Sequence, residues 1–239
     1  MITNRIAHIA ALVGEPARTA MLLELMDGRA LTALELARAG GVSAQTASRH
    51  LSQLVQAALL QVEQLGRHRY HRLASAEVAH MLEGIMQIAG QSLPRRAVQS
   101  GPRETSMRMA RMCYDHIAGR LGLAIAERLQ QQGAIVLEGG AGHVTERGHE
   151  VLQRWGLALP DPATAPAGRR PWCRPCLDWS ERKSHIAGRL GALLCSHSLE
   201  QGWLTRKPSA RVLAISPHGA QALRRLLGLQ AWNQVTDGA

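Results

Sequence analysis

The sequence predicts a mainly α-helical chain with small β-hairpins, whose C-terminal domain is built from two helix–hairpin–helix repeats. Three observations lead there. Phe is absent from the 239 residues and Tyr occurs only twice, so the core rests on Leu, Ile, Val, Met and Ala, which favours helices over strands. The first hundred residues show capped, helix-periodic segments that end in one basic-tipped hairpin. In the second half a seven-residue string occurs twice.

In the first part, Ile6, Ile9 and Leu12 stand at helical spacing over residues 5–13. A second helix starts near Glu15-Pro16, with proline suited to the first turn, and ends at Asp27-Gly28. Thr32 and Glu35 form the T-x-x-E capping box of a short third helix, about residues 32–38. Gly40-Gly41 supplies a tight turn, and Ser43 caps a fourth helix running to about Ala57. A short helix, a glycine turn and a second helix make a helix-turn-helix. On the fourth helix Ala47, Leu51 and Leu54 face one way. Ser43, Gln45, Thr46, Ser48, Arg49, His50 and Gln53 are left for the other faces, and such hydrogen-bonding side chains suit base edges in a major groove. Residues 59–65 and 70–73 read as strands flanking Gly66-Arg67-His68-Arg69. This hairpin is a wing, and Arg67, His68 and Arg69 at its tip suit phosphate or minor-groove contacts. Ser75 caps a last helix to about Ala89, whose apolar stripe of Val78, Met81, Leu82, Ile85, Met86 and Ile88 is wide enough to pack across a dimer.

The strings V-S-A-Q-T-A-S-R-H-L-S-Q-L and G-R-H-R-Y-H-R-L resemble the ArsR/SmtB family of bacterial winged-helix repressors over residues 4–90. The resemblance implies a homodimer that binds a double-stranded DNA operator and releases it on sensing an effector. Metal-sensing members of the family carry a Cys-x-Cys pair on the first helix of the helix-turn-helix, or Asp, His and carboxylate ligands on the dimer helix. Here the first position reads Leu34-Glu35-Leu36-Ala37 and the second offers His80 and Glu83, so neither site is intact and the signal is expected elsewhere.

Residues 91–107, with Pro94, Gly101 and Pro102, read as a linker between a domain of residues 1–90 and one of residues 108–239. His116-Ile117-Ala118-Gly119-Arg120-Leu121-Gly122 recurs as residues 185–191 at an offset of 69. Gln132-Gly133 matches Gln201-Gly202, and the Thr145 and Ser216 caps match at an offset of 71. The repeats therefore span about 113–158 and 182–230, and each is expected to begin as a long helix. The small residues of the shared string predict close approach and a pseudo-two-fold pair. This half resembles a C-terminal extension found on some ArsR-like regulators.

Chemistry-bearing residues cluster just before each repeat helix. Cys113 and His116 read as one helix face, and Cys173-Arg174-Pro175-Cys176 is a knuckle spacing followed by His185. Three readings stand side by side. Cys113, His116, Cys173, Cys176 and His185 suit a thiophilic metal or metalloid ion. The same thiols beside Arg174 and Arg182 suit redox or electrophile sensing. Tyr114, Asp115, Asp178, Trp179, Arg120 and Arg189 suit a small-molecule cleft, with the cysteines structural. Cys195 reads as core.

The formal charge is +10, from 28 Lys+Arg against 18 Asp+Glu, with Lys183 and Lys207 the two lysines. Arginine of this abundance points first to nucleic acid, although residues 1–100 carry net +3 and residues 101–239 net +7. Four cysteines make no disulfide framework. No apolar run approaches a membrane span and the N-terminus lacks a signal pattern, so a cytoplasmic protein without a membrane partner is expected. No phosphate loop or dinucleotide fingerprint occurs, so no enzyme is expected. The composite expectation is a transcriptional regulator, most simply a repressor, that answers to an unidentified effector. The contrasting one is a metal-binding or assembly protein that leaves transcription alone.

Overall fold

The computed structural model describes residues 2–65, 68–91, 105–138, 141–159, 170–178, 180–206 and 211–236. The chain forms two compact units, Met1–Met86 and Gln87–Ala239. Among the described residues no single helix is long and apolar enough to cross a membrane.

The first unit opens with α1 (Ile2–Val13) and α2 (Pro16–Glu24), followed by a 3-10 turn at Leu25–Asp27. Glu15 caps α2 with its carboxylate, accepting from the Ala17 and Arg18 amides. Strand β1 (Leu31–Thr32) leads into α3 (Ala33–Gly40), and the capping box is formed as expected: Thr32 Oγ1 accepts from the Glu35 amide while the Glu35 carboxylate accepts from the Thr32 amide. Gly41, at φ 64°, closes α3 in the left-handed region, where a Cβ would be strained. Ser43 caps α4 (Ala44–Gln56) by accepting from the Thr46 amide. Strands β2 (Leu60–Leu65) and β3 (His68–Leu73) pair antiparallel, and β1 adds to β3, giving the sheet order β1-β3-β2. Met21, Leu22, Leu25, Met26, Leu36, Leu51 and Leu54 are the core. Helix α5 (Ala76–Gln91) follows.

The first element after α5 is α6 (Thr105–Met109), so the expected linker gives way to helix before residue 107; its residues 92–104 lie outside the described ones. A hairpin of β4 (Arg111–Cys113) and β5 (His116–Ala118) precedes α7 (Arg120–Gln131), the hairpin β6 (Ile135–Glu138) and β7 (Ala141–Val144), and α8 (Glu146–Arg154). The same order then recurs: β8 (Arg174–Leu177), β9 (Ser184–Ala187), α9 (Gly188–Glu200), β10 (Leu204–Arg206), β11 (Leu213–Ile215) and α10 (Pro217–Leu227), with α11 (Leu229–Thr236) at the end. This corrects the expected helical start of each copy. The shared string is strand through His-Ile-Ala and helix only afterwards, because Gly119 and Gly188 break it at φ 79° and 84°.

Corresponding residues make corresponding contacts. Thr145 Oγ1 accepts from the Gly148 amide and donates to the Gly133 carbonyl, and Ser216 Oγ does the same with Gly219 and Gly202. Helix α7 packs on β9 and α9 packs on β5. The core runs through both halves, with Leu121, Leu129, Ile135, Leu152, Leu190, Leu213 and Leu223 in one buried cluster.

Candidate functional site

In the first unit the outward face of α4 carries the expected readers. Ser43, Gln45, Thr46, Ser48 and Arg49 are exposed, while Ala47, Leu51 and Leu54 are buried. Ser48, Ser52 and Gln56 of α4 line a groove of about 370 Å³ together with Arg69 and His71 of the wing strand. Arg69 is exposed there, so helix and wing offer polar groups to one depression. Arg67 and the His68 side chain lie outside the described residues.

His50 is a correction, whereas Gln53 is half-buried. His50 is 8% exposed, with Nδ1 3.1 Å from Arg18 Nη1 and Nε2 3.8 Å from a Glu15 carboxylate oxygen. Gln53 Oε1 accepts from Arg18 Nη1 at 3.2 Å. Arg18 also donates to the Leu12 and Ala11 carbonyls, so both side chains serve the packing of α4 against α1 and α2. The sequence carried this signal, since His50 stands on the Ala47, Leu51 and Leu54 stripe.

In the second unit the hairpin registers place Cys113 opposite His116 and Cys176 opposite His185. The expected helix face is thus a cross-strand pair, made once in each half. The four side chains meet in the interior. One ligand atom from each lies within 4.8 Å of every other, and none of the four residues is more than 5% exposed. The imidazole Nε2 atoms of His116 and His185 face each other at 3.1 Å. Small residues make the approach possible: a Cβ on Gly122 would stand 3.4 Å from His185 Cβ, and one on Gly191 would stand 3.0 Å from His116 Cβ.

Carboxylates stand behind both imidazoles. His116 Nδ1 is 3.3 Å from Asp115 Oδ1, and His185 Nδ1 is 3.6 Å from Asp178 Oδ2. Arg170 holds Asp115. Asp178 is fully buried and accepts from Arg111 Nη2 at 2.5 Å, the Gly119 amide at 2.7 Å, the Ser180 hydroxyl at 2.7 Å and the Ser180 and Glu181 amides. Burial works to raise its pKa, but the charges of Arg111 and His185 and these hydrogen bonds hold it at about 2. The Cys113 thiol is held well below its ordinary value, chiefly by the Cys176 thiol and further by both imidazoles, against the opposing effect of burial. Burial pushes the His185 pKa down from its ordinary value, against the opposing effects of Cys113 and Asp178.

Cys173 stays out of this group. It lies in the core, where burial pushes its thiol to about 11, and its backbone bridges to Gly142. Cys195 is core as expected, at about 12 for the same reason, and none of the four cysteines is in a disulfide. Among the described residues, several groups expected to line a small-molecule cleft have other partners. Asp178 and Asp115 are committed to Arg111 and Arg170, and Arg189 lies 4.4 Å from the centroid of the Trp172 ring. Arg120 lines a depression of about 180 Å³ with Glu127 and Lys183, to which Tyr114, Asp115, Asp178 and Arg189 do not contribute. Trp179 lies outside the described residues. Arg111, Arg170 and Ser180 escaped the sequence reading; the one signal was an arginine inside the apolar strand before Cys113.

A helix-turn-helix with a β-wing, joined to a second unit with its own core, defines a winged-helix protein. A helix-turn-helix domain family matches residues 13–63. An uncharacterized HTH-type transcriptional regulator, YdfF of Bacillus subtilis (strain 168), is 38% identical over 225 residues, covering 94% of this chain and 98% of that one. Among solved structures, the homodimeric winged helix-turn-helix DNA-binding domain of a possible ArsR-family transcriptional regulator from Mycobacterium bovis is 22% identical. It covers 41% of this chain and 89% of that one, with a TM-score of 0.36. The transcriptional repressor BigR from Xylella fastidiosa is 20% identical, covering 36% and 87%, with a TM-score of 0.33. The chain belongs to the HTH-type transcriptional regulators.

Proposed function

We propose that this regulator binds a two-half-site operator as a homodimer, with α4 in the major groove and the wing on the flanking backbone. An effector received by the C-terminal unit shifts the DNA-competent population, and repression relieved by that effector is the simplest form. The observation that carries the reading is the division of α4. Its apolar stripe is buried, while Ser43, Gln45, Thr46, Ser48 and Arg49 stand exposed beside the groove that Arg69 lines. A solvated surface helix would show more Glu and Lys there; short amides, hydroxyls and one arginine match base edges. Dimerisation is supported by apolar side chains left in water: Ile2 and Ile6 of α1 are 74% and 62% exposed, and Ile85 and Ile88 of α5 44% and 68%.

The test is footprinting and gel shift on the DNA upstream of the coding region. Sequence-dependent protection of two half-sites is expected, together with its loss in Gln45→Ala/Arg49→Ala at unchanged circular dichroism. Each lost base contact costs about 1–3 kcal/mol. A footprint retained by that variant removes the recognition-helix reading. The absence of any sequence-dependent shift favours an assembly protein instead.

A further inference from the structure

We propose that Cys113, His116, Cys176 and His185 form a closed, four-coordinate site for one Zn(II)-class ion that staples the two hairpins of the C-terminal unit. The site lies outside both positions where the family resemblance places metal ligands.

The geometry is that of a tetrahedral donor set. Nitrogens about 2.0–2.1 Å and sulfurs about 2.3 Å from one ion stand about 3.3–3.8 Å apart. The four donor atoms lie within 4.8 Å of one another and the two imidazole nitrogens are 3.1 Å apart, so small rotamer adjustments suffice. Each histidine has a carboxylate near Nδ1, at 3.3 Å and 3.6 Å. A carboxylate hydrogen-bonded at Nδ1, as Asp115 is to His116, fixes the tautomer that leaves the Nε2 lone pair inward, as it does for metal-bound histidines. At 3.1 Å the two Nε2 atoms stand close enough to share a proton or to bind one cation together. His185 Nδ1 has no hydrogen-bond partner although the residue is only 1% exposed; a ligated, polarised ring would draw Asp178 Oδ2 onto it.

The donor types select the ion. Two thiolates and two imidazoles suit a borderline-soft dication. Trivalent arsenic, which takes three thiolates, finds two here, because Cys173 lies in the core. Two thiolates balance the charge of a dication, so the buried centre is neutral and escapes the cost of an unpaired buried charge. All four positions are filled by protein and buried, which is the arrangement of a structural site rather than a catalytic one. One Cys–His pair comes from each half, so the ion joins the halves and its binding energy becomes folding energy.

The full-length chain, purified under reducing conditions, should contain one zinc per chain by elemental analysis. X-ray absorption of that sample should show two sulfur and two nitrogen neighbours, a measurement that needs no variant. Cobalt(II) added to chelator-stripped protein should give tetrahedral d–d and thiolate charge-transfer bands that saturate at one equivalent and vanish on adding zinc. Cys176→Ser should weaken cobalt binding more than about 100-fold, beyond the cost of losing a group that only orients a ligand. Cys173→Ala should leave it unchanged. Metal-free protein that takes up no cobalt, an octahedral spectrum, a shell without sulfur, or charge transfer surviving Cys113→Ser/Cys176→Ser overturns the site. Operator gel shifts on the same samples keep the two readings apart. Operator binding without a metal site overturns the site alone, and a loaded site without operator binding overturns the regulator reading alone.

Discussion

Asp178→Ala tests how the two halves of the C-terminal unit are held. Arg111 is 1% exposed and reaches Asp178 at 2.5 Å, the Ser180 hydroxyl at 3.1 Å and the Met107 carbonyl at 3.0 Å. Removing the carboxylate takes from the buried guanidinium the anion it pairs with, and breaking such a pair costs about 3–5 kcal/mol. For a unit of this size each kcal/mol lowers the midpoint by about 2–4 °C, so a drop of roughly 6–20 °C is expected. Arg111→Met should cost less. It leaves a carboxylate that still accepts from the Gly119, Ser180 and Glu181 amides and the Ser180 hydroxyl, and methionine fills most of the vacated volume. Calorimetry of the full chain, run with excess chelator so that metal binding does not enter, resolves the C-terminal transition. A loss under about 1 kcal/mol for Asp178→Ala, or a larger loss for Arg111→Met, would show that the carboxylate does not anchor this interior.

Three further outcomes are expected. Arg69→Ala should weaken binding to specific and unrelated DNA alike and reduce the salt slope by about one; a loss confined to one sequence in gel shifts would make Arg69 a base reader instead. Gly191→Ala places a Cβ 2.4 Å from the Ile186 carbonyl oxygen and 3.0 Å from His116 Cβ. Thermal unfolding should report a destabilisation of about 1–3 kcal/mol or more, and an unchanged midpoint would deny the close approach. The Glu35 carboxyl is held below its ordinary value, first by the Thr32 hydroxyl and then by the Thr32 amide. Its contribution to stability is therefore present above the unfolded pKa of about 4.3 and lost as pH falls through the depressed folded value. An NMR titration should show the Glu35 pKa rising in Thr32→Ala, accompanied by a loss of about 1 kcal/mol.

Local signals carried the first unit. Thr32, Glu35 and Ser43 announce helix starts because a cap is satisfied within three residues, and the stripe of Ala47, Leu51 and Leu54 shows its period within three turns. The same stripe includes His50, which the sequence reading assigned by polarity rather than by angle. The hairpins of the second unit gave no such signal. Arg111–Cys113 and His116–Ala118 are buried at every position, so no alternation marks them as strands. Cys113 and His116 lie three apart, which mimics a helix turn, whereas Cys176 and His185 lie nine apart because residues 178–183 lengthen the second loop. Counting back from the shared His-Ile-Ala-Gly at constant offset therefore missed the match of Cys113 to Cys176. Only the strand register, a non-local property, aligns them and leaves Cys173 aside.

The excess of arginine points to a different use from the one its abundance suggested. Arg18 ties the Ala11 and Leu12 carbonyls to Gln53 and stands beside His50. Arg111 joins Met107, Ser180 and Asp178 in the interior. Arg170 binds Asp115 and the Gly188 carbonyl. Each of these sites needs several donors in a fixed plane, which a guanidinium supplies and an ammonium does not. Part of the preference for Arg over Lys is thus met by holding helices and hairpins together. Arg49 on α4 and Arg69 on the wing, both exposed, are the cations on which the proposed DNA face rests. Because Arg111 and Arg170 act on Asp178 and Asp115, the carboxylates behind His185 and His116, these two arginines bear on the orientation of the four-residue cluster. A lysine scan would separate these roles: Arg170→Lys should loosen the C-terminal transition with operator affinity intact, and Arg49→Lys should do the reverse.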